Sequence, residues 1–174
     1  MNDVVRTAWA SIKANNDFIC VQTFSGYRSS RADPEGGQYV LSVDVSDVSL
    51  GEAVQSALAA SRFVLAERRE GVWIHPEATF NRPLYDPLLT EQRYVEWTKR
   101  LMSKFDYKSK RELFKGMKNC NIKSTAGALT ISPTIREGME GWAGMPDDED
   151  VVAPTGSSPL EVGSAVRLAL SRCR

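Results

Sequence analysis

The chain has 174 residues, 22 basic and 22 acidic side chains, and 42% hydrophobic content, a composition that suits one compact domain and excludes extended disorder. No apolar run reaches the roughly 20 residues that span a bilayer, and residues 1–6 lack the basic-then-apolar pattern of a secretory signal, so the expected compartment is the cytoplasm. The zero net charge hides a segregation: residues 1–90 carry 8 basic and 11 acidic groups, 91–123 carry 10 and 4, and 124–174 carry 4 and 7.

In chain order, residues 1–16 read as a flexible arm or short helix anchored by Trp9 and Ile12. Phe18, Cys20 or Val21, and Phe24 give partial alternation, so 17–27 reads as a strand ended by Ser25-Gly26. After a Ser/Gly-rich loop with an Asp33-Pro34 turn, Tyr39, Leu41, Val43 and Val45 alternate with polar and smaller residues, a strand over 38–45. Leu50, Ala53, Val54, Ala57 and Leu58 then fall on one face of a 3.6-residue period, a helix over 49–62 with Ser49 or Ser46 as its cap. Residues 63–70 continue that helix, and Val72-Trp73-Ile74 is a short strand candidate.

Pro76, Pro83 and Pro87 make 75–89 a connector. Thr90 caps a second helix over 91–105 with a buried stripe of Tyr94, Trp97, Leu101 and Phe105, and Ser109 with Glu112 caps a short helix ending near Lys118. Residues 122–124 and 128–131 read as strands joined through Ala126-Gly127, and 136–150 as mostly loop. The last helix begins at Ser158, with Pro159 in its first turn and Glu161 completing a capping box. The predicted fold is a single α+β domain over 1–174, a mostly antiparallel sheet packed by amphipathic helices. One pattern repeats: Gly51-x-Ala53-Val54-x-x-Ala57-Leu58 returns as Gly163-x-Ala165-Val166-x-x-Ala169-Leu170, with Ser-Arg following in each, after Ala59-Ala60 in the first copy and directly in the second. An internal duplication accounts for the match, and so does convergence of two helices that lie close to a sheet.

The chemistry of catalysis is thin. His75 is the one histidine, beside Pro76 in the connector, with no nucleophile motif to serve. Cys20, Cys120 and Cys173 have no paired spacing, which fits reduced, buried thiols better than a disulfide framework or a metal site. No glycine-rich phosphate loop is present. These absences imply no enzyme, no cofactor and no metal. Two charged stretches remain. Asp147-Asp148-Glu149-Asp150, with Glu137 and Glu140 near in sequence, forms a solvated loop or a surface for a basic partner. Lys99, Arg100, Lys104, Lys108, Lys110 and Arg111 form a solvated helical face or, with the aromatics among them, a nucleic-acid-binding segment over 93–118. The aromatics fall mainly on the core stripe, which favours the solvated face.

Four blocks carry a resemblance: Gln22-Thr23-Phe24-Ser25-Gly26-Tyr27 after Asp17-Phe18; the Leu50-Gly51 helix ending in Ser61-Arg62-Phe63; Arg93-Tyr94 through Trp97 to Leu101-Met102, then Leu113-Phe114-Lys115-Gly116-Met117-Lys118-Asn119-Cys120; and Ser157-Ser158-Pro159 to Ser171-Arg172-Cys173. In order and spacing they resemble the CdiI-type immunity proteins of bacterial contact-dependent growth inhibition systems. The resemblance implies a cytoplasmic antitoxin. Its partner would be the cognate toxin domain of a CdiA-type effector, commonly a nuclease, neutralised by covering its active site; no membrane or nucleic-acid partner is implied. If the toxin is a nuclease, its phosphate-binding cleft is basic, and the acidic residues Asp147, Asp148, Glu149, Asp150, Glu137 and Glu140 are the candidate toxin-binding groups; the basic face is the alternative.

Overall fold

Two long antiparallel hairpins, β1 (Ala8–Ala14) with β2 (Phe18–Gly26) and β7 (Lys118–Thr125) with β8 (Ala128–Glu137), build the centre of one sheet. The computed structural model describes residues 4–174. The hairpins join through an antiparallel β1–β7 pairing in which Ile12 faces Cys120 and Ser11 faces Asn121. The outer edge of β2 takes β4 (Gln38–Ser42) along Phe18–Gln22 and β3 (Ser30–Ala32) along Phe24–Gly26. The outer edge of β8 takes β10 (Val151–Pro154) along Ala128–Ile131 and β9 (Gly141–Gly144) along Thr134–Glu137. Each half then runs into a helix, α1 (Asp47–Ala59) after β4 and α4 (Pro159–Arg172) after β10.

The sequence repeat is thus a repeat of structure, with the two halves related by an approximate two-fold between β1 and β7. The two helices show it most sharply. A Cβ built on Gly51 would lie 1.8 Å from the Pro159 carbonyl oxygen, and one on Gly163 would lie 1.8 Å from the Asp47 carbonyl oxygen. Each glycine meets the first residue of the opposite helix, and any side chain there would drive the pair apart. Arg167 reinforces the crossing through a 2.6 Å ion pair to Asp47.

Strand alternation sends side chains to two separate cores. Ile12, Ile19, Val21, Ile122 and Ile131 face α1 and α4, meeting Leu50, Val54, Val162 and Val166. Phe18 and Cys20 point the other way, toward α2 (Pro87–Phe105) and α3 (Lys110–Leu113), where Trp97, Leu101, Leu113, Phe114 and Met117 bury them. The result is a single domain of three layers, a helix pair, an antiparallel sheet and a second helical layer.

The α+β expectation holds, and several local expectations do not. Residues 8–14 are no arm or helix: they form β1 in the middle of the sheet, with Ala10, Ile12 and Ala14 alternating with Ser11 and Lys13. Residues 1–3 of the expected arm lie outside the described residues. The cap of α1 is Ser46, whose hydroxyl accepts from the Ser49 N–H. The helix stops at Ala59, and the chain turns into β5 (Val64–Leu65), which pairs in parallel with β6 (Thr79–Phe80). Residues 72–74 form no strand, and Trp73 is 61% exposed. The cap of α2 is Asp86, ahead of Thr90, because Pro87 suits the first helical position and Asp86 accepts from Leu88 and Leu89. The expected 136–150 loop contains β9 and a 3₁₀ turn over Asp147–Glu149. The capping box at Ser158–Glu161 is present as predicted.

Candidate functional site

The sheet face under α2 changes character along its length. Near α3 it is apolar, but between α2 and the β2–β3 end it presents Lys13, Gln22 and Arg31. There a cleft of about 330 Å³ opens, lined also by Arg93, Tyr94 and Trp97 from α2, and none of its lining residues is a carboxylate. Lys13 lies on the central strand and is only partly exposed. Its ammonium donates to Asn119 Oδ1 at 3.2 Å and Ser11 Oγ at 3.4 Å and sits 5.3 Å from the Trp142 ring centroid. Among the described residues it meets no acid within ion-pair distance. Burial pushes its pKa down to about 8.

Arg31 stacks on Tyr85, its guanidinium carbon 3.7 Å from the ring centroid, and its Nη1 is a buried donor without a partner among the described residues. Arg93 Nη1 donates to the Pro83 carbonyl, at 3.4 Å. Three cations, one of them holding an unused buried donor, therefore converge on a cleft that has no counter-charge among the described residues. Buried donors normally have partners, so this arrangement fits an acidic group supplied from outside.

The sequence-derived candidates are dispersed. Glu140 is turned inward, accepting from the Tyr94 hydroxyl at 2.5 Å and pairing with Lys110 at 3.3 Å. Burial, reinforced by Glu140, raises the Tyr94 pKa well above the usual tyrosine range. Glu149 pairs with Arg174 at 2.9 Å, and Arg172 donates to the carbonyls of Glu149 and Asp150. Half of the acidic run thus anchors the C-terminus, while Asp147, Asp148 and Glu137 stay exposed. Lys99, Arg100, Lys104, Lys108, Lys110 and Arg111 are all exposed on α2, α3 and the turn between them. The aromatics interleaved with them are committed to the core: Trp97 and Phe114 are buried, and Tyr94, Phe105 and Tyr107 pack against that cluster.

Sequence reasoning missed Lys13, Arg31 and Arg93 as a group, because three separate segments bring them together. His75 takes a structural place, its Nδ1 accepting from the Glu77 N–H and its ring edge-on to Phe63. Among the described residues no group of three His, Cys, Asp or Glu side chains could hold a metal ion, and no helix is long and apolar enough to cross a membrane.

The family model described as CdiI, CDI immunity protein, matches residues 8–173. The chain belongs to the CdiI family of immunity proteins. The immunity protein CdiI-YPIII of Yersinia pseudotuberculosis serotype O:3 (strain YPIII) is 53% identical over 176 residues, spanning 100% of this chain and 99% of that one. Among solved structures, a CdiA-CT/CdiI toxin and immunity complex from Yersinia pseudotuberculosis matches with a TM-score of 0.96 at 53% identity, covering 99% of this chain and 100% of that one. A protein of unknown function from Neisseria meningitidis matches with a TM-score of 0.83 at 30% identity, covering 100% and 99% of the two chains. The CdiI scaffold explains why the four sequence blocks are mainly caps and core: they specify the two halves and α2.

Proposed function

We propose that this CdiI chain is a cytoplasmic immunity protein that neutralises the C-terminal toxin domain of its cognate CdiA effector by binding it, with no catalysis of its own. The toxin–immunity complex of the 53% identical relative supports the partner. The cleft supports the place. An acidic group on the toxin enters between α2 and the β2–β3 end, where Lys13, Arg31 and Arg93 wait without a carboxylate. Such a desolvated charge pair acts mainly on the dissociation rate.

A second surface follows if the toxin is a nuclease, as is common in this family. A nuclease cleft is basic, and the exposed carboxylates Asp147, Asp148 and Glu137 would steer the encounter and cover the active site. The two surfaces separate kinetically. Arg31→Ala/Arg93→Ala should dissociate from the purified toxin domain at least about 10-fold faster. Asp147→Asn/Asp148→Asn/Glu137→Gln should associate about 10-fold more slowly at low salt, with dissociation unchanged. Wild-type dissociation from the first variant would remove the cleft from the interface, and wild-type association by the second would remove the acidic surface.

A further inference from the structure

We propose that Cys120 and Cys173 form an oxidation site, closing to an intramolecular disulfide by exchange with a small disulfide such as glutathione disulfide. The two sulfur atoms lie 3.5 Å apart, although 53 positions separate them in the chain. A disulfide is about 2.05 Å long, so the sulfurs need to close by about 1.5 Å. Cys173 caps α4 one residue beyond its last turn and is partly exposed, so its side chain can move without shifting the helix core. Cys120 is buried in β7 beneath it.

The two thiols are chemically unequal. A hydrogen bond from the Cys120 thiol, together with the nearby Lys118 charge, lowers the Cys173 pKa against the opposing effect of burial. The same contact and burial raise that of Cys120. Cys173 is therefore both the accessible thiol and the readier thiolate, the combination that makes a cysteine the first to react. In the reduced chain its S–H also reaches the carbonyls of Asn119 at 3.3 Å and Ala169 at 3.6 Å.

The steps balance. Cys173 loses its proton and attacks one sulfur of glutathione disulfide, forming a mixed disulfide and releasing one glutathione thiolate. Cys120 then loses its proton and attacks the Cys173 sulfur, which expels the second glutathione. Two protein thiols are oxidised, one small disulfide is reduced to two thiols, and no other co-reactant enters. The bond would tie the end of α4 to the central sheet, beside the point where Arg174 pairs with Thr134 and Arg136 of β8.

The test uses the full chain incubated with glutathione disulfide at pH 7.5, then denatured for thiol titration and intact mass. The expected product weighs about 2 Da less than the reduced chain, retains one titratable thiol (Cys20, on the opposite face of the sheet) and yields a peptide linking Cys120 to Cys173. Its melting temperature should rise by about 5 °C or more, since the bond closes a long loop. Cys173→Ser should show neither change, and Cys120→Ser should stop at a glutathione adduct on Cys173. A wild-type chain that keeps three thiols, retains the adduct, or links into dimers would overturn the proposal. The wild-type result decides it even if Cys120→Ser fails to fold.

Discussion

Replacing Lys13 with Met should stabilise the isolated chain while weakening its hold on the toxin. The ammonium sits among Ser11, Asn119 and Trp142 with no acid beside it, and its pKa falls from an ordinary 10.5 to about 8. That gap corresponds to about 3 kcal/mol against the charged form at neutral pH. Met keeps the length of the chain and most of its packing. It forfeits two long hydrogen bonds, but Ser11 Oγ and Asn119 Oδ1 remain bonded to each other at 3.2 Å, so the loss is about 1 kcal/mol. The net gain is about 2 kcal/mol at pH 7, or about 4–8 °C in melting temperature for a chain of this size. The sign with pH follows from proton counting. Between about 8 and 10.5 the unfolded chain keeps the Lys13 proton and the folded chain does not, so wild-type stability gains on the variant as pH rises through that window. Thermal unfolding of both proteins at pH 7 and pH 9.5 measures the effect. A variant that melts below wild type at pH 7, or whose advantage is the same at both pH values, would refute the reading of Lys13 as a strained, uncompensated cation.

Other outcomes are equally specific. Gly51→Ala and Gly163→Ala should each destabilise by about 3 kcal/mol or more by forcing α1 and α4 apart, a far larger cost than alanine's better helix propensity returns; urea unfolding midpoints report it. Arg62→Met should cost about 3–5 kcal/mol, because Asp33 has a fully buried carboxylate held by Arg62 at 2.7 Å and Ser25 at 2.6 Å. Although burial raises the Asp33 pKa, the bonds to Arg62 and Ser25 more than offset it and leave the group below the usual range. Its stabilisation is therefore present above the unfolded pKa of 3.8 and lost as pH falls through the lower folded value, so acid titration of wild type should show it and that of the variant should not. Leu170→Ala should cost about 2–5 kcal/mol and the half-buried Leu58→Ala less, by the same assay.

The parts of this fold legible in the sequence were those where one side chain declares its own environment. The stripes of α1 and α4, the Ser158 cap and the turn at Ala126-Gly127, both in left-handed conformation with φ of 50° and 79°, were each readable within a dozen residues. β1 was not, because a strand buried between two others needs no large apolar side chains, and Ala10 and Ala14 gave little signal. The start of α2 was masked by Pro87, read as a breaker although it stands where a proline is favoured. The cleft escaped for a different reason. Lys13, Arg31 and Arg93 are ordinary surface residues until the sheet and α2 place them together. The acidic run was visible as charge, but nothing local shows that Arg172 and Arg174 would claim part of it.

The approximate two-fold sets a limit on how this molecule could have been assembled. Two separate copies of one half could pair β1 with β7 and cross their helices at the glycines, making the same sheet and the same first core. What two equal copies could not share is the opposite face, where a single α2–α3 layer covers the strands. A second such layer would compete for the same ground. Joining the halves in one chain leaves room for one insertion, residues 60–117, and the cleft opens where its α2 meets Lys13, Gln22 and Arg31 of the first half. Substitutions within that insertion can reshape one wall of the cleft while the paired halves keep the fold.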